Sequence, residues 1–173
     1  MKGTIVVKPE RCTGCDTCVL ACKIEHSRSK DLFEAIKEQP APCSRVMVEQ
    51  GRGFVVPLQC RQCEDAPCMT VCPTKALHRV DNDSPVVIDA DLCIGCKECV
   101  LACPFGVIRM DDWSHAIIKC DQCFERLERD ELPACVESCP MGALAFSNLD
   151  DVAEGKRESY LLRIEAAHGG ETK

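Results

Sequence analysis

Several features that direct a sequence to a familiar function are scarce or missing here. Aromatic residues make up only 4% of the 173 residues. No apolar run approaches the roughly 18 residues of a membrane-spanning helix, and no Lys/Arg-rich stretch is present. The net charge of −7 disfavours nucleic acid as a partner. There is also no glycine-rich phosphate loop and no carboxylate pair suited to acid–base work, so we expect neither a nucleotide site nor catalysis of that kind.

The N-terminal segment, residues 1–9, lacks the features of a secretory signal. It contains no long apolar stretch, and no twin arginine precedes one. Together with the absence of a membrane span, this predicts a soluble cytoplasmic protein. In a reducing cytoplasm, thiolates persist as metal ligands rather than as disulfides.

Cysteine, by contrast, is abundant. Of the 17 cysteines, sixteen fall into four groups of four. Groups one and three have the spacing C-x2-C-x2-C-x3-C, which binds a cubane [4Fe-4S] cluster. Four clusters in so short a chain predict a protein that does little besides transfer electrons. The groups are Cys12, Cys15, Cys18 and Cys22 (one); Cys60, Cys63, Cys68 and Cys72 (two); Cys93, Cys96, Cys99 and Cys103 (three); and Cys120, Cys123, Cys135 and Cys139 (four).

The apolar residues alone would make a thin core. The hydrophobic fraction of 46% includes all 17 cysteines, and aromatic side chains are few. We therefore expect the clusters to form much of the core and metal binding to supply much of the folding free energy.

The cysteine groups form an internal repeat. Residues 12–22 and 93–103 are identical at eight of eleven positions. Residues 60–63 and 120–123 share the pattern C-x-Q-C, and in both groups extra residues and a proline precede the third cysteine. The chain therefore reads as a duplicated two-cluster unit.

Strand and turn signals lie between the groups. Hairpins are predicted where runs of β-branched residues flank Gly, Asn or Asp. Short helices are expected between the third and fourth cysteines. Proline follows the fourth cysteine of the other groups and should end those helices, whereas Lys23 follows Cys22 and allows the first helix to continue. Predicted strand pairs are 46–49 with 54–57, 76–80 with 85–89, and 106–110 with 115–119; a helix is predicted in 29–38 and one or two amphipathic turns in 160–164.

The connections indicate which groups are partners. In two-cluster ferredoxins, the fourth cysteine of each run binds the other cluster. Groups two and three are joined by a single hairpin, which leaves groups one and four as the other pair. Strand 3–7 would then pair with strand 143–146. This predicts an α+β fold of two bacterial-ferredoxin-like units, one inserted in the other: an outer unit of 1–22 plus 104–149, an inner unit of 58–103, an insert of 23–57 and a C-terminal tail of 150–173.

This arrangement resembles the four-cluster iron–sulfur subunits of the dimethyl-sulfoxide reductase and formate dehydrogenase type. It also resembles electron-transfer proteins serving carbon monoxide dehydrogenase, tungsten aldehyde oxidoreductase and benzoyl-CoA reductase. The resemblance covers about residues 4–146 and includes all four groups in order. It implies four [4Fe-4S] clusters ligated crosswise: set A is Cys12, Cys15, Cys18 and Cys139; set B is Cys22, Cys120, Cys123 and Cys135; set C is Cys60, Cys63, Cys68 and Cys103; set D is Cys72, Cys93, Cys96 and Cys99.

The resemblance implies an electron-transfer subunit without catalytic residues of its own. Its partners would be a catalytic subunit with a tungsten or molybdenum pterin or a nickel–iron site, and a flavin or nicotinamide subunit. The short insert and residues 26–32 most resemble the compact cytoplasmic members, among which the small subunit of a tungsten aldehyde oxidoreductase is favoured. The alternatives are a freely diffusing polyferredoxin, whose copies could stack, and a zinc-binding interaction module, because the spacing of group four also occurs in zinc ribbons.

The remaining conspicuous residues are given structural roles. Cys43, outside the groups, is expected to be a small buried residue. Three cations beside the ligand runs could raise cluster potentials but are read as ordinary solvated side chains: Arg61, Lys97 and Lys119. The other residues are assigned to surface, packing or interface positions: His26, His78, His115, His168 and Trp113.

Overall fold

The computed structural model describes residues 3–111 and 116–168. Within these ranges, short strands form two-stranded antiparallel sheets, and short helices connect them. The strands are β1 (Thr4–Val7), β2 (Met47–Gln50), β3 (Val55–Leu58), β4 (Leu77–His78), β5 (Val87–Ile88), β6 (Arg109–Met110), β7 (Ile117–Ile118) and β8 (Leu144–Ser147). The helices are α1 (Thr17–Glu25), α2 (Leu32–Ala35), α3 (Pro67–Thr70), α4 (Glu98–Ala102), α5 (Phe124–Glu128), α6 (Ala134–Glu137) and α7 (Leu149–His168).

The first strand pairs with the last one. β1 runs antiparallel to β8, with Thr4 opposite Ser147 and Val7 opposite Leu144. Lys8 N continues the ladder by donating to Ala143 O at 2.8 Å. This pairing, predicted from the sequence, brings the N-terminal cysteine group next to the last one.

The predicted hairpins form, but two of them are shorter than expected. β4 and β5 contain two residues each rather than five. The ladder stops because side chains take up its backbone groups: Arg79 donates to Ser84 O at 2.5 Å and to Cys63 O at 2.7 Å. Val86 N donates to the Gln62 side chain at 2.8 Å. Residues 112–115, which include Trp113 and His115, lie outside the described residues.

Helices lead to the fourth cysteine of every group, as predicted. α1 continues past Cys22 to Glu25, whereas α4 stops at Ala102, just before Cys103 and the proline that follows it. The helix predicted in 29–38 is only four residues long. Asp31 caps α2 by accepting from Phe33 N and Glu34 N, and Glu38 folds back to accept from the backbone at residues 28–29.

The tail differs most from the prediction. Instead of one or two turns, α7 is a helix of 20 residues. Asn148 Oδ1 accepts from Asp151 N at 2.8 Å and caps its start, and two aspartates in the first turn interact favourably with the helix dipole. Most of its residues are strong helix formers, although the helix has no buried residue. Of the helices described, none is long and apolar enough to cross a membrane.

Cysteine side chains form a large part of two apolar cores. One core contains Cys68 and Cys99 packed with Leu77, Val86, Ile108 and Ile117. The other contains Cys18, Cys22 and Cys135 with Ile5, Val46 and Leu144. Val46, from the segment between groups one and two, completes the second core. The cysteine groups therefore occupy the places that large apolar side chains would otherwise fill.

Candidate iron–sulfur sites

The ligand loops depend on left-handed backbone conformations. Gly14 and Gly95 have φ of 71° and 67°, and Asp16 and Lys97, two residues later, have φ of 58° and 68°. Gln62 and Gln122, within the C-x-Q-C runs, also have positive φ. Alternating conformations of this kind turn successive N–H groups toward one concave side of the loop, which favours a negatively charged group there.

Three of the four crosswise sets each line one small cavity. Each cavity brings together three cysteines of one group and the fourth cysteine of another. The cysteines around them are Cys12, Cys15, Cys18 and Cys139; Cys60, Cys63, Cys68 and Cys103; and Cys72, Cys93, Cys96 and Cys99. Apart from cysteine, the linings include many apolar side chains.

The cysteines of set B are close enough to interact electrostatically. Burial raises the pKa of Cys135, and the charges of Cys120, Cys22 and Cys123 raise it further, in that order. Cys22, Cys120, Cys123 and Cys135 are all buried. This region is the most enclosed of the four cysteine sites.

Thiolates in these sites need positive charge nearby. Burial raises the pKa of Cys18 and Cys99 to about 11 and that of Cys120 and Cys123 to about 12. A buried thiol stays protonated unless a metal ion or another cation stabilises its anion. Four cysteine sulfurs around one cavity fit an iron–sulfur cluster, whose iron ions supply that charge.

Backbone N–H groups point at the sulfur atoms. Gln62 N donates to Cys60 Sγ and Gln122 N to Cys120 Sγ, both at 3.4 Å. Ala143 N donates to Cys139 Sγ at 3.2 Å. Hydrogen bonds to ligand sulfur are one of the means by which proteins set cluster potentials, so the residues present suit the cofactor in both donor type and surroundings.

Cys22 also has a polar network that the cysteine spacing did not predict. His26 Nδ1 lies 2.8 Å from Cys22 O and 3.6 Å from Cys22 Sγ, and Arg45 N donates to the same sulfur at 3.2 Å. His26 Nε2 lies 3.3 Å from Asp121 Oδ1, and Arg45 also pairs with Asp121. One feature of the sequence indicates this contact: His26 is four residues after Cys22, directly after the end of a helix that no proline interrupts.

Charge pairing dominates this network. Burial lowers the pKa of His26, but the hydrogen bonds with Asp121 and Cys22 outweigh it and raise that pKa to about 9. Burial raises the pKa of Asp121, yet His26 and Arg45 hold it below its ordinary value. The fourth cysteine of group one is therefore held in a compact ionic cluster.

Other predicted roles are partly corrected. Lys119 is 2% exposed, so the prediction of a solvated side chain is wrong for it, whereas Arg61 and Lys97 are exposed as expected. Cys43 is partly exposed rather than buried, and its sulfur lies 3.9 Å from Ala41 O.

Comparison with known proteins identifies the class. A model of the 4Fe-4S dicluster domain matches residues 52–149, and a 4Fe-4S binding domain matches residues 9–25. An iron–sulfur protein of Rhodospirillum rubrum is 37% identical over 178 residues, which cover 95% of this chain and 92% of the relative.

Two relatives are named as parts of reductases. The B subunit of the anaerobic dimethyl sulfoxide reductase of Escherichia coli (strain K12) is 36% identical over 84% of this chain and 73% of its own. The thiosulfate reductase electron transfer subunit of Salmonella typhi is 38% identical over 82% and 73%, respectively. The chain therefore belongs to the 4Fe-4S dicluster family, and [4Fe-4S] clusters are its cofactors. The predicted resemblance to the dimethyl-sulfoxide reductase type is confirmed.

Proposed function

We propose that this protein is an electron-transfer subunit that relays single electrons through four [4Fe-4S] clusters. Sets A, B, C and D hold one cluster each, and every set takes three ligands from one run and the fourth from another. The main observation behind this proposal is that the cysteines of sets A, C and D, each drawn from two groups, meet around a common cavity. When bound, the clusters supply one-electron redox chemistry, and the chain encloses and orients them.

The four clusters would belong to two nested units. The outer unit, 1–22 with 104–149, holds sets A and B and is joined by the pairing of β1 with β8. The inner unit, 58–103, holds sets C and D around its own hairpin. One apolar core contains Cys68 and Cys99 of sets C and D, and the other contains Cys18, Cys22 and Cys135 of sets A and B. This grouping supports the pairing of the sets, although Ile108 and Ile117 of the outer unit also pack into the first core.

Electrons would enter and leave at sets A and D. Cys15 in set A and Cys96 in set D are exposed, whereas the cysteines of set B are buried. An exposed apolar residue lines each of these two sites: Met141 beside set A, 49% exposed, and Ile94 beside set D, 64% exposed. Apolar surface beside an accessible cluster suits docking of a redox partner.

The partner at one end is proposed to be a catalytic metalloenzyme subunit, and the chain itself is proposed not to be an enzyme. Relatives named after dimethyl sulfoxide reductase and thiosulfate reductase favour a molybdenum or tungsten pterin site in that partner. A flavin or nicotinamide subunit, or another carrier, would serve the other end. No substrate pocket is needed in such a protein.

Metal analysis of the protein, purified without oxygen, tests the cofactor count. We expect about sixteen iron and sixteen sulfide per chain, because each cluster contains four of each, and low-temperature EPR of the reduced protein should integrate to four spins. Zinc at any set, or fewer than four iron–sulfur clusters, would refute the proposal.

Two cysteine variants test the ligand sets. Cys22→Ser should alter or abolish the signal of one cluster and release up to about four iron atoms. Cys43→Ser is the matched control, because Cys43 lies outside all four sets, and it should keep the full iron content. Equal effects of the two substitutions would contradict the assignment.

Sizing of the native protein distinguishes a subunit from a diffusing polyferredoxin. The exposed apolar residues of α7, including Tyr160 at 65% and Leu162 at 65%, favour a protein with a partner. We expect the chain to elute from anaerobic extract in a complex with a large metalloenzyme. Elution at the mass of the free chain, 19.1 kDa, would favour the diffusing carrier.

A further inference from the structure

Lys119 is a buried cation whose acceptors, among the described residues, are backbone oxygens. Its side chain is 2% exposed, and Nζ donates to Val86 O at 2.6 Å and to Cys120 O at 2.7 Å. Within residues 3–111 and 116–168, no carboxylate forms an ion pair with it. A buried ammonium without a negative partner is strongly destabilising, so another negative charge must lie nearby.

The cysteine sets supply the negative charge that lies nearest to Lys119. Lys119 lines the cavity of set C together with Cys60, Cys68 and Cys103. Burial raises the pKa of Cys68, and the charge of Lys119 is the next largest influence and opposes it. A cubane with four thiolates carries a charge of about −2 when oxidised and about −3 when reduced. The ammonium is therefore placed as a counter-charge that interacts more strongly with the reduced form.

A second buried side chain fixes the backbone around Lys119. Gln62 Nε2 donates to Cys120 O at 2.8 Å, and Gln62 Oε1 accepts from Val86 N at 2.8 Å. Lys119 and Gln62 thus hold the same two residues, Val86 and Cys120. A charge held in this way needs little rearrangement when an electron arrives, because its hydrogen bonds are already made.

The other copy of the internal repeat has an uncharged residue at the position equivalent to Lys119. Residues 59–63 align with 119–123, so Gln59 is the counterpart of Lys119. Gln59 is 1% exposed, and its amide has no hydrogen-bond partner among the described residues. On the set B side, burial raises the pKa of Cys120, the charge of Asp121 raises it further, and the charge of Lys119 lowers it by less than Asp121 raises it. Asp121 is itself paired with His26 and Arg45. The duplicated sites are therefore electrostatically unequal.

We propose that the Lys119 ammonium raises the reduction potential of the set C cluster above that of the set B cluster, its counterpart in the repeat. An electron passed between them oxidises the set B cluster from 1+ to 2+ and reduces the set C cluster from 2+ to 1+. No proton or covalent bond is involved. This inference rests on the ligand sets of the proposed function, and it makes Lys119 a residue that positions charge rather than a ligand.

The test is a potentiometric titration of the anaerobic holoprotein, followed by EPR. In Lys119→Gln, which copies the counterpart residue, the reduced-to-oxidised ratio of one cluster at fixed solution potential should fall roughly tenfold, equivalent to 59 mV for a one-electron couple. Lys119→Arg should keep the ratio close to that of the wild type. Arg61→Gln is the matched control, since it removes an exposed cation next to Cys60 of the same set. Equal shifts for Lys119→Gln and Arg61→Gln would overturn the proposal.

A second measurement does not depend on the folding of Lys119→Gln. Cys103→Ser perturbs the set C signal and Cys22→Ser the set B signal, which assigns both signals in the wild-type titration. The proposal requires the set C component to have the higher midpoint, and the reverse order would overturn it. Iron and sulfide are measured in the same samples. Four clusters with unshifted potentials would refute the role of Lys119 alone, whereas fewer than four in the wild type would refute the proposed function.

Discussion

At the residue scale, Gly14 has a backbone conformation that other residues adopt with strain. Its φ is 71°, and a Cβ atom at this position would lie 3.3 Å from Cγ1 of Val55. We expect Gly14→Ala to destabilise the holoprotein by about 1–2 kcal/mol, because an L-residue in the left-handed region costs that much. The measurement is the Tm at a fixed scan rate under anaerobic conditions.

Gly155→Ala is the control for that substitution. Gly155 lies in α7, and a Cβ atom there would meet nothing within 4 Å. Alanine is the better helix former by about 1 kcal/mol, so this variant should be at least as stable as the wild type. A Gly14→Ala protein as stable as Gly155→Ala would disprove the strain argument.

The sequence predicted the sixteen grouped cysteines because their spacing is local and specific. It did not predict the roles of Lys119 or His26, since these arise from contacts between distant segments. The acceptor Val86 is 33 residues from Lys119, and Asp121 is 95 residues from His26. Burial of a single cation depends on how such segments pack, and no local pattern reports that.

At the element scale, Arg126 connects three helices. From α5 it pairs with Glu25 at the end of α1 at 3.1 Å and with Glu137 of α6, and it donates to Leu132 O at 2.7 Å. Arg126→Met should lower stability by about 1 kcal/mol or more, because charged hydrogen bonds in a partly buried site are lost. The variant should release iron faster under a chelator, measured by the loss of visible absorption.

Arg129→Met is the matched control on the neighbouring turn. Arg129 pairs only with Glu131 at the surface among the described residues, and exposed ion pairs contribute little. Its iron release should match that of the wild type. A similar rate for the two arginine variants would exclude a specific role of Arg126 in joining the helices.

The C-terminal helix is separable from the cluster-binding body. α7 contains no buried residue, whereas β8 immediately before it pairs with β1. A chain that ends after Ser147 should therefore keep its full iron content and EPR spectrum. The loss of a cluster from this truncated chain would show that α7 contributes to the body in a way that its exposure does not indicate.

Element types were easier to predict than element lengths. Gly and Asn/Asp turns located the hairpins, but β4 and β5 are short because Arg79 and Gln62 bind the backbone that a longer ladder would use. The length of α7 was underestimated for a different reason. The apolar residues of α7 form no buried side, so an amphipathic pattern does not mark the extent of this helix. Helix propensity and the cap by Asn148 determine it instead.

At the scale of the whole molecule, folding and cofactor binding are expected to be one process. Both apolar cores contain cysteines of the cluster sites, and few aromatic residues are present to replace them. Removal of iron by an anaerobic chelator should abolish the native circular dichroism in the same time course as the cluster absorption. Native-like circular dichroism in iron-free protein, compared with a reduced sample without chelator, would contradict this expectation.

The pairing of β1 with β8 also has a consequence for biosynthesis. The strand partner of residues 4–7 is residues 144–147, so it leaves the ribosome on the order of ten seconds later at typical translation rates of about 5–20 residues per second. The paired residues of β4 and β5, by contrast, are only nine to eleven positions apart in the chain, as in Leu77 with Ile88 and His78 with Val87. During that interval the cysteines of group one have emerged, but the strand that pairs with residues 4–7 has not. These cysteines are therefore exposed longest to oxidants and to the wrong metal before the last part of the cluster-binding body has been translated.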